Sequence, residues 1–143
     1  MAAISRATAT WTGDLTSGSG TVTPESGAFG GLPIAWASRA ERMQGKTSPE
    51  ELIAAAHAAC YNMAFSNGLA KAGHKAERLD TTAEVEFVPG TGITTITLTV
   101  RGRVPGIAKD EFAKQAEAAK EGCPVSMALH GNVDLKLNAT LES

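Results

Sequence analysis

Two cysteines, Cys60 and Cys123, are the side chains of this sequence whose type suits them to covalent or redox chemistry. The reactive form is the thiolate, so the question is what each sulfur would meet. Cys123 precedes Pro124 at the start of PVSMALH, at or beside a helix N-cap with proline at N1. A thiol there meets the positive end of the helix dipole and unpaired N–H groups, both of which favour the thiolate. Cys60 lies in the middle of LIAAAHAACYNMAFSNGLA, a run apolar nearly all round, where burial opposes ionisation. Taken alone, it reads as a packing residue. A reactive Cys60 needs a cation or donor brought from elsewhere, and Arg39, Arg42 and His57 are the candidates. His57 precedes Cys60 by three residues on one helix face, so it could act as the base of a Cys-His pair or pack with a hydrogen bond of its own. Arg39 and Arg42 stand in a polar connection before the helix. Glu50, in the first helical turn, has a structural reading as a complement to the helix dipole.

The remaining chemistry is narrowed by composition. His57, His74 and His130 with the two cysteines give no C-x-x-C or H-x-x-x-H spacing, so neither a metal site nor a cofactor is expected. Two cysteines are too few for a disulfide framework, and if they pair, the pairing is catalytic. A formal charge of −2 spread through 143 residues creates no field that would attract nucleic acid. MAAISRATATW has no apolar signal region, and no stretch approaches the roughly 18 apolar residues of a membrane span. The expectation is a cytoplasmic chain, residues 1–143 forming one domain.

The elements that must position these groups follow from patterning. Ile4 to Trp11, the turn-forming TGDLTSGSG and then TVTPES read as a β-hairpin, and Leu32 to Trp36 as a third strand of an N-terminal meander. Ser48, Pro49 and Glu51 supply an N-cap, an N1 proline and a capping-box glutamate for a helix running to Ala72 and stopping at Gly73. Leu79 to Val88 and Ile93 to Val104 form a second hairpin about Pro89-Gly90-Thr91-Gly92. Lys109 to Glu121 reads as an amphipathic helix with Phe112, Ala116 and Ala119 inward and Gly122 as its stop. In VDLKLNATL, Val133, Leu135 and Leu137 alternate with Asp134, Lys136 and Asn138 as in a half-exposed strand. The class is α+β, antiparallel sheets packed on a long central helix. That helix is apolar on more sides than one small sheet covers, which calls for a second copy of the chain.

TSPEELIAAAHAACYNMA around Cys60, GCPVSMAL around Cys123, DTTAEV and VPGI together resemble the osmotically inducible protein C and organic hydroperoxide resistance family, over essentially the whole chain. HAAC and GCPVS favour the osmotically inducible branch. The resemblance implies the OsmC-like fold as an intertwined homodimer, and a peroxidase that uses organic hydroperoxides and is reset by a dithiol, whether a lipoyl protein, thioredoxin or a small thiol. It implies that Cys60 attacks the peroxide, Arg39 activates it, Glu50 orients the arginine and Cys123 resolves the oxidised sulfur by disulfide formation. The stretch SRAERMQGKTSPE is one residue longer between arginine and glutamate than the family pattern, which leaves Arg42 as a rival for Arg39. Ser48 and Tyr61 stand where asparagine and phenylalanine are common. If one arginine serves both Glu50 and Cys60, ten positions apart on one helix, the two belong to different copies. A thiol-disulfide oxidoreductase or redox sensor, and a binding module whose cysteines only pack, are the alternatives.

Overall fold

A computed structural model describes residues 1–142, and Ser143, last of the expected domain, lies outside the described residues. The described residues form two compact units, Met1–Leu52 and a second that begins at Ile53.

The first unit is a three-stranded antiparallel meander in the order β1-β2-β3, built from β1 (Ala7–Thr12), β2 (Ser19–Pro24) and β3 (Leu32–Ile34). Its hairpin turns on Asp14, whose carboxylate accepts from the Ser17 backbone N–H and hydroxyl, each at 2.7 Å. The third strand ends two residues short of the expected Trp36, because Trp36 opens a short helix, α1 (Trp36–Ala40). The cause is Ser38, a buried residue whose hydroxyl accepts from the Ala35 N–H at 3.1 Å and donates to the Ala35 carbonyl at 2.6 Å. Such a local bond competes with strand extension and turns the chain. Arg39 therefore sits in the last helical turn of α1 and not in an irregular connection. After α1 the chain returns alongside β3, where the Thr47 N–H donates to the Pro33 carbonyl at 2.9 Å, and enters α2 (Pro49–Lys71). Ser48 caps the helix as expected, its Oγ accepting from the Glu51 N–H at 3.1 Å, whereas the Glu51 carboxylate, expected to close a capping box, accepts from the Thr47 hydroxyl at 2.8 Å.

The second unit takes the body of α2, then β4 (Arg78–Val88), β5 (Gly92–Arg103), α3 (Lys109–Gly122), α4 (Pro124–Leu129) and β6 (Asp134–Glu142). Its core stripe on α2 is His57, Tyr61, Phe65 and Leu69, each four residues from the next and each fully buried. Against Tyr61, Phe65 and Leu69 pack Leu98, Val100 and Val104, and Phe112, Ala116 and Ala119 of α3. Gly73, at φ +88°, ends α2: the His74 N–H reaches the Leu69 carbonyl at 2.8 Å and the Gly73 N–H reaches Ala70 at 3.0 Å, the paired bonds of a Schellman stop. The sheet order is β4-β5-β6. Here the expectation of antiparallel sheets needs correction, since β4 pairs antiparallel to β5 but β6 runs parallel to it. The path from β5 to β6 runs through two helices, and a crossover of that length brings a strand back in parallel. The stop of α3 is also displaced: Gly122 is its last helical residue, and Cys123, extended at φ −64° and ψ 126°, is both its C-cap and the N-cap of α4. A residue before proline is driven out of the helical region, so Pro124 dictates the break.

Candidate active site

In the first unit the group that matters is a guanidinium held from two sides. Arg39 Nη2 donates to Glu50 Oε1 at 2.6 Å, and Nε to Oε1 and Oε2 at 3.1 and 3.3 Å, while its Cζ lies 5.5 Å from the centre of the Trp36 ring. The parts arise locally. α1 places Trp36 and Arg39 three residues apart on one face, and the Ser48 cap directs Glu50, in the first turn of α2, toward them. Glu50 is 5% exposed and its charge is compensated by this bidentate pair. Arg42 lies just past α1 in the left-handed region at φ 59° with an exposed side chain. Arg39, then, is the arginine that joins Glu50. Trp36 was not singled out from sequence, although an aromatic residue three positions before an arginine on a helix is the signal for such stacking.

In the second unit the two thiols meet. Both are free, Cys123 fully buried and Cys60 partly exposed. Burial raises the Cys60 pKa, its side-chain hydrogen bond with Cys123 raises it further, the Val125 backbone N–H that faces the sulfur lowers it, and charge on Cys123 raises it again. With proline at N1, Val125 supplies the first available N–H of α4. The helix start expected to serve Cys123 thus also serves Cys60, and the balance still leaves the Cys60 thiol above its ordinary value.

His57 does not act on Cys60 as a base in this arrangement. Its Nε2 lies 2.7 Å from Ser126 Oγ, its Nδ1 is buried with no hydrogen-bond partner among the described residues, and burial holds its pKa below the ordinary value. Ser126 was missed from sequence; the available signal was its position three residues after Cys123, mirroring His57 three before Cys60. Among the described residues, no group of three His, Cys, Asp or Glu side chains is placed to hold a metal ion, and no helix is long and apolar enough to cross a membrane.

Two small sheets, one long helix and a thiol pair at the start of a short helix define a two-cysteine α+β protein. The model of the OsmC-like protein family matches residues 42–138. The chain is 44% identical over 128 residues to "Peroxiredoxin OsmC" of Escherichia coli (strain K12), covering 87% of this chain and 89% of that protein. It is 34% identical over 97 residues to the "Organic hydroperoxide resistance protein" of Xanthomonas axonopodis pv. citri, covering 64% and 65%. Among solved structures it is similar to an organic hydroperoxide resistance protein OsmC from Legionella pneumophila, with TM-score 0.72, 28% identity and coverage of 97% and 99%. The organic hydroperoxide resistance protein OhrB of Bacillus subtilis gives TM-score 0.67 at 26% identity, covering 96% and 98%. The chain belongs to the OsmC-like protein family.

Proposed function

We propose that the protein is a cysteine-based peroxidase that reduces organic hydroperoxides to alcohols, with Cys60 as the attacking and Cys123 as the resolving thiol. The observation that carries this reading is that the two thiols lie close enough for Cys123 to raise the pKa of Cys60, with the Val125 backbone N–H acting on the same sulfur in the opposite sense. In the first step the Cys60 thiolate attacks the terminal peroxide oxygen, the O–O bond breaks, and the alkoxide takes a proton and leaves as alcohol, giving a sulfenic acid. Cys123 then attacks that sulfur as a thiolate, the S–O bond breaks, the leaving hydroxide takes a proton from solvent to depart as water, and a disulfide remains. Two electrons from an external dithiol of the lipoyl, thioredoxin or small-thiol class return the pair to thiols. Organic substrates fit the surround: Met63 and Met127, at 69% and 63% exposure, lie about one turn beyond Cys60 and Cys123. The names of the relatives from Escherichia coli and Xanthomonas axonopodis support the same chemistry.

Arg39 and Glu50 are assigned as the activating pair, and the working unit as an isologous homodimer in which each site is completed by the second copy. Glu50 and Cys60 lie ten residues apart on α2, about 15 Å of helical rise, so a guanidinium bonded to Glu50 serves a Cys60 from another chain. Its charge would offset the burial that raises the Cys60 pKa, and its planar donors suit peroxide oxygens. Residues 1–143 act as one cytoplasmic domain in this reading.

The test is rapid-mixing oxidation of the reduced protein by cumene hydroperoxide and by hydrogen peroxide. Faster reaction with the organic peroxide, its loss in Cys60→Ser, and a Cys60 sulfenic or sulfinic acid in Cys123→Ser by mass spectrometry are expected. Thiol-disulfide exchange with protein partners but no peroxide consumption would replace this reading with that of an oxidoreductase.

A further inference from the structure

We propose that His57 and Ser126 form a positioning pair that sets the rate at which Cys123 reaches oxidised Cys60. The inference rests on the peroxidase reading and adds a residue couple that acts on its second chemical step.

The two residues are placed symmetrically about the thiols. His57 lies three residues before Cys60 on α2, and Ser126 three after Cys123 on α4, so each is about one helical turn from a sulfur. The bond between them, Nε2 to Oγ at 2.7 Å, joins the two cysteine-bearing helices beside the place where the thiols meet. α4 has six residues, too few to be stable as an isolated helix. Of α4 and its N-cap, the buried residues are Cys123 and Ser126. One must be free to react, which leaves Ser126 as the buried anchor of α4.

The placement of His57 argues the same way. It occupies the core stripe with Tyr61, Phe65 and Leu69, where a leucine would pack without any polar atom to satisfy. Instead the imidazole is fully buried with Nδ1 unpartnered among the described residues, an arrangement that opposes stability. What the histidine supplies that leucine cannot is the bond to Ser126.

Disulfide formation is geometrically demanding, with Cα atoms about 4.4–6.8 Å apart and a dihedral near a right angle. A start of α4 that drifts or turns carries the sulfur of Cys123 out of line with the S–O bond it must break. The first oxidation has no such requirement, because it involves Cys60 and the peroxide alone. Loss of the His57–Ser126 bond therefore acts on resolution and leaves attack on peroxide nearly as it was. A slower resolution leaves the sulfenic acid open to a second peroxide, which raises the sulfinic acid formed.

The experiment is quenched-flow oxidation of the reduced full chain with cumene hydroperoxide, trapped by alkylation and read by mass spectrometry for thiol, sulfenic acid, disulfide and sulfinic acid. The variants are Ser126→Ala, His57→Leu and His57→Gln, each checked for cooperative thermal unfolding. In Ser126→Ala, Cys60 is oxidised at close to the wild-type rate, but disulfide appears about ten-fold more slowly, the order that one buried hydrogen bond permits, and sulfinic acid accumulates. His57→Gln, whose amide N–H can lie near the position of Nε2, resolves faster than His57→Leu. Folded Ser126→Ala protein resolving at the wild-type rate, both steps slowing by the same factor, or glutamine giving no advantage over leucine would each overturn the inference. A wild-type protein that forms no Cys60–Cys123 disulfide would instead overturn the peroxidase reading itself, and the inference with it.

Discussion

Cys60 carries opposing influences on one sulfur. Burial and the neighbouring Cys123 hold its proton, and the Val125 N–H favours its release. Removing Cys123 takes away two of the contributions that raise the Cys60 pKa, the hydrogen bond and the charge, while burial and the Val125 N–H stay. In Cys123→Ala the thiolate therefore appears at lower pH, and the midpoint of Cys60 alkylation against pH moves downward. An unmoved or raised midpoint would mean that burial alone governs this thiol. His57 obeys a different sign. Burial depresses its folded-state pKa below the 6.5 of an unperturbed histidine, so the unfolded chain binds the proton first. Its contribution to stability is fully present above about pH 6.5 and is lost as pH falls from there toward the lower folded value. Asp14 and Asp80, both held below 3.8 by hydrogen-bonded partners, titrate in more acidic solution and do not obscure this window. Urea midpoints at about pH 7.5 and 5.5 should fall for the wild type and change less for His57→Gln. Equal falls in both proteins would remove His57 as the cause.

Among the elements, β5 is the one on which the second unit depends. It lies between two strands, and Ile96, Leu98, Val100 and Gly102 form its buried face. At Gly102 a Cβ would stand 2.7 Å from Phe112 Cε2 and 2.8 Å from its Cζ, and the Phe112 ring is itself only 1% exposed. Neither partner has room to yield. Gly102→Ala should destabilise the fold by about 1–3 kcal/mol, the usual penalty of overpacking, seen as a lower urea midpoint with an unchanged slope. Gly68→Ala on α2 is a suitable control: its nearest contact is the Gln115 side-chain oxygen at 3.3 Å, and alanine improves helix propensity. The two helices that carry the thiols differ in their dependence on partners. α2 has 23 residues, a serine cap and a Schellman stop, whereas six-residue α4 is held by what it buries.

For the molecule as a whole, the proposed shared site makes a prediction that neither unit makes by itself. A chain with Cys60→Ser keeps Arg39, and a chain with Arg39→Ala keeps Cys60, so each homodimer lacks one member at both of its sites. If Arg39 serves the Cys60 of the other copy, the mixed dimer holds one complete site. Co-expression with two affinity tags and purification of the mixed species should restore a substantial part of the peroxidase activity. Verified mixed dimers as inactive as both parents would place arginine and cysteine of the same chain together. Arg42→Ala, which alters an exposed side chain away from the Glu50 pair, should leave activity close to wild type.

Much of this protein is legible along the chain because its signals are local. Ser48 and Pro49 announce α2, Gly73 ends it, Pro124 divides α3 from α4, and the alternation in β4, β5 and β6 places those strands to within a residue or two. Sequence resemblance was sufficient to assign the family, and it offered Cys60, Cys123, Glu50 and either Arg39 or Arg42 as candidate site residues. Other features depend on groups far apart in sequence. The choice of Arg39 over Arg42 as the partner of Glu50 required the short helix α1, which forms because the Ser38 hydroxyl closes on Ala35 where strand patterning had continued to Trp36. The parallel pairing of β6 depends on the path through α3 and α4, since alternation marks a strand's faces and carries no information about its direction. His57 and Ser126 are separated by 69 residues, and each alone reads as an ordinary polar side chain. Periodicity and capping act within a few residues and can be read from the chain; a bond across two helices exists only once tertiary packing has brought them together.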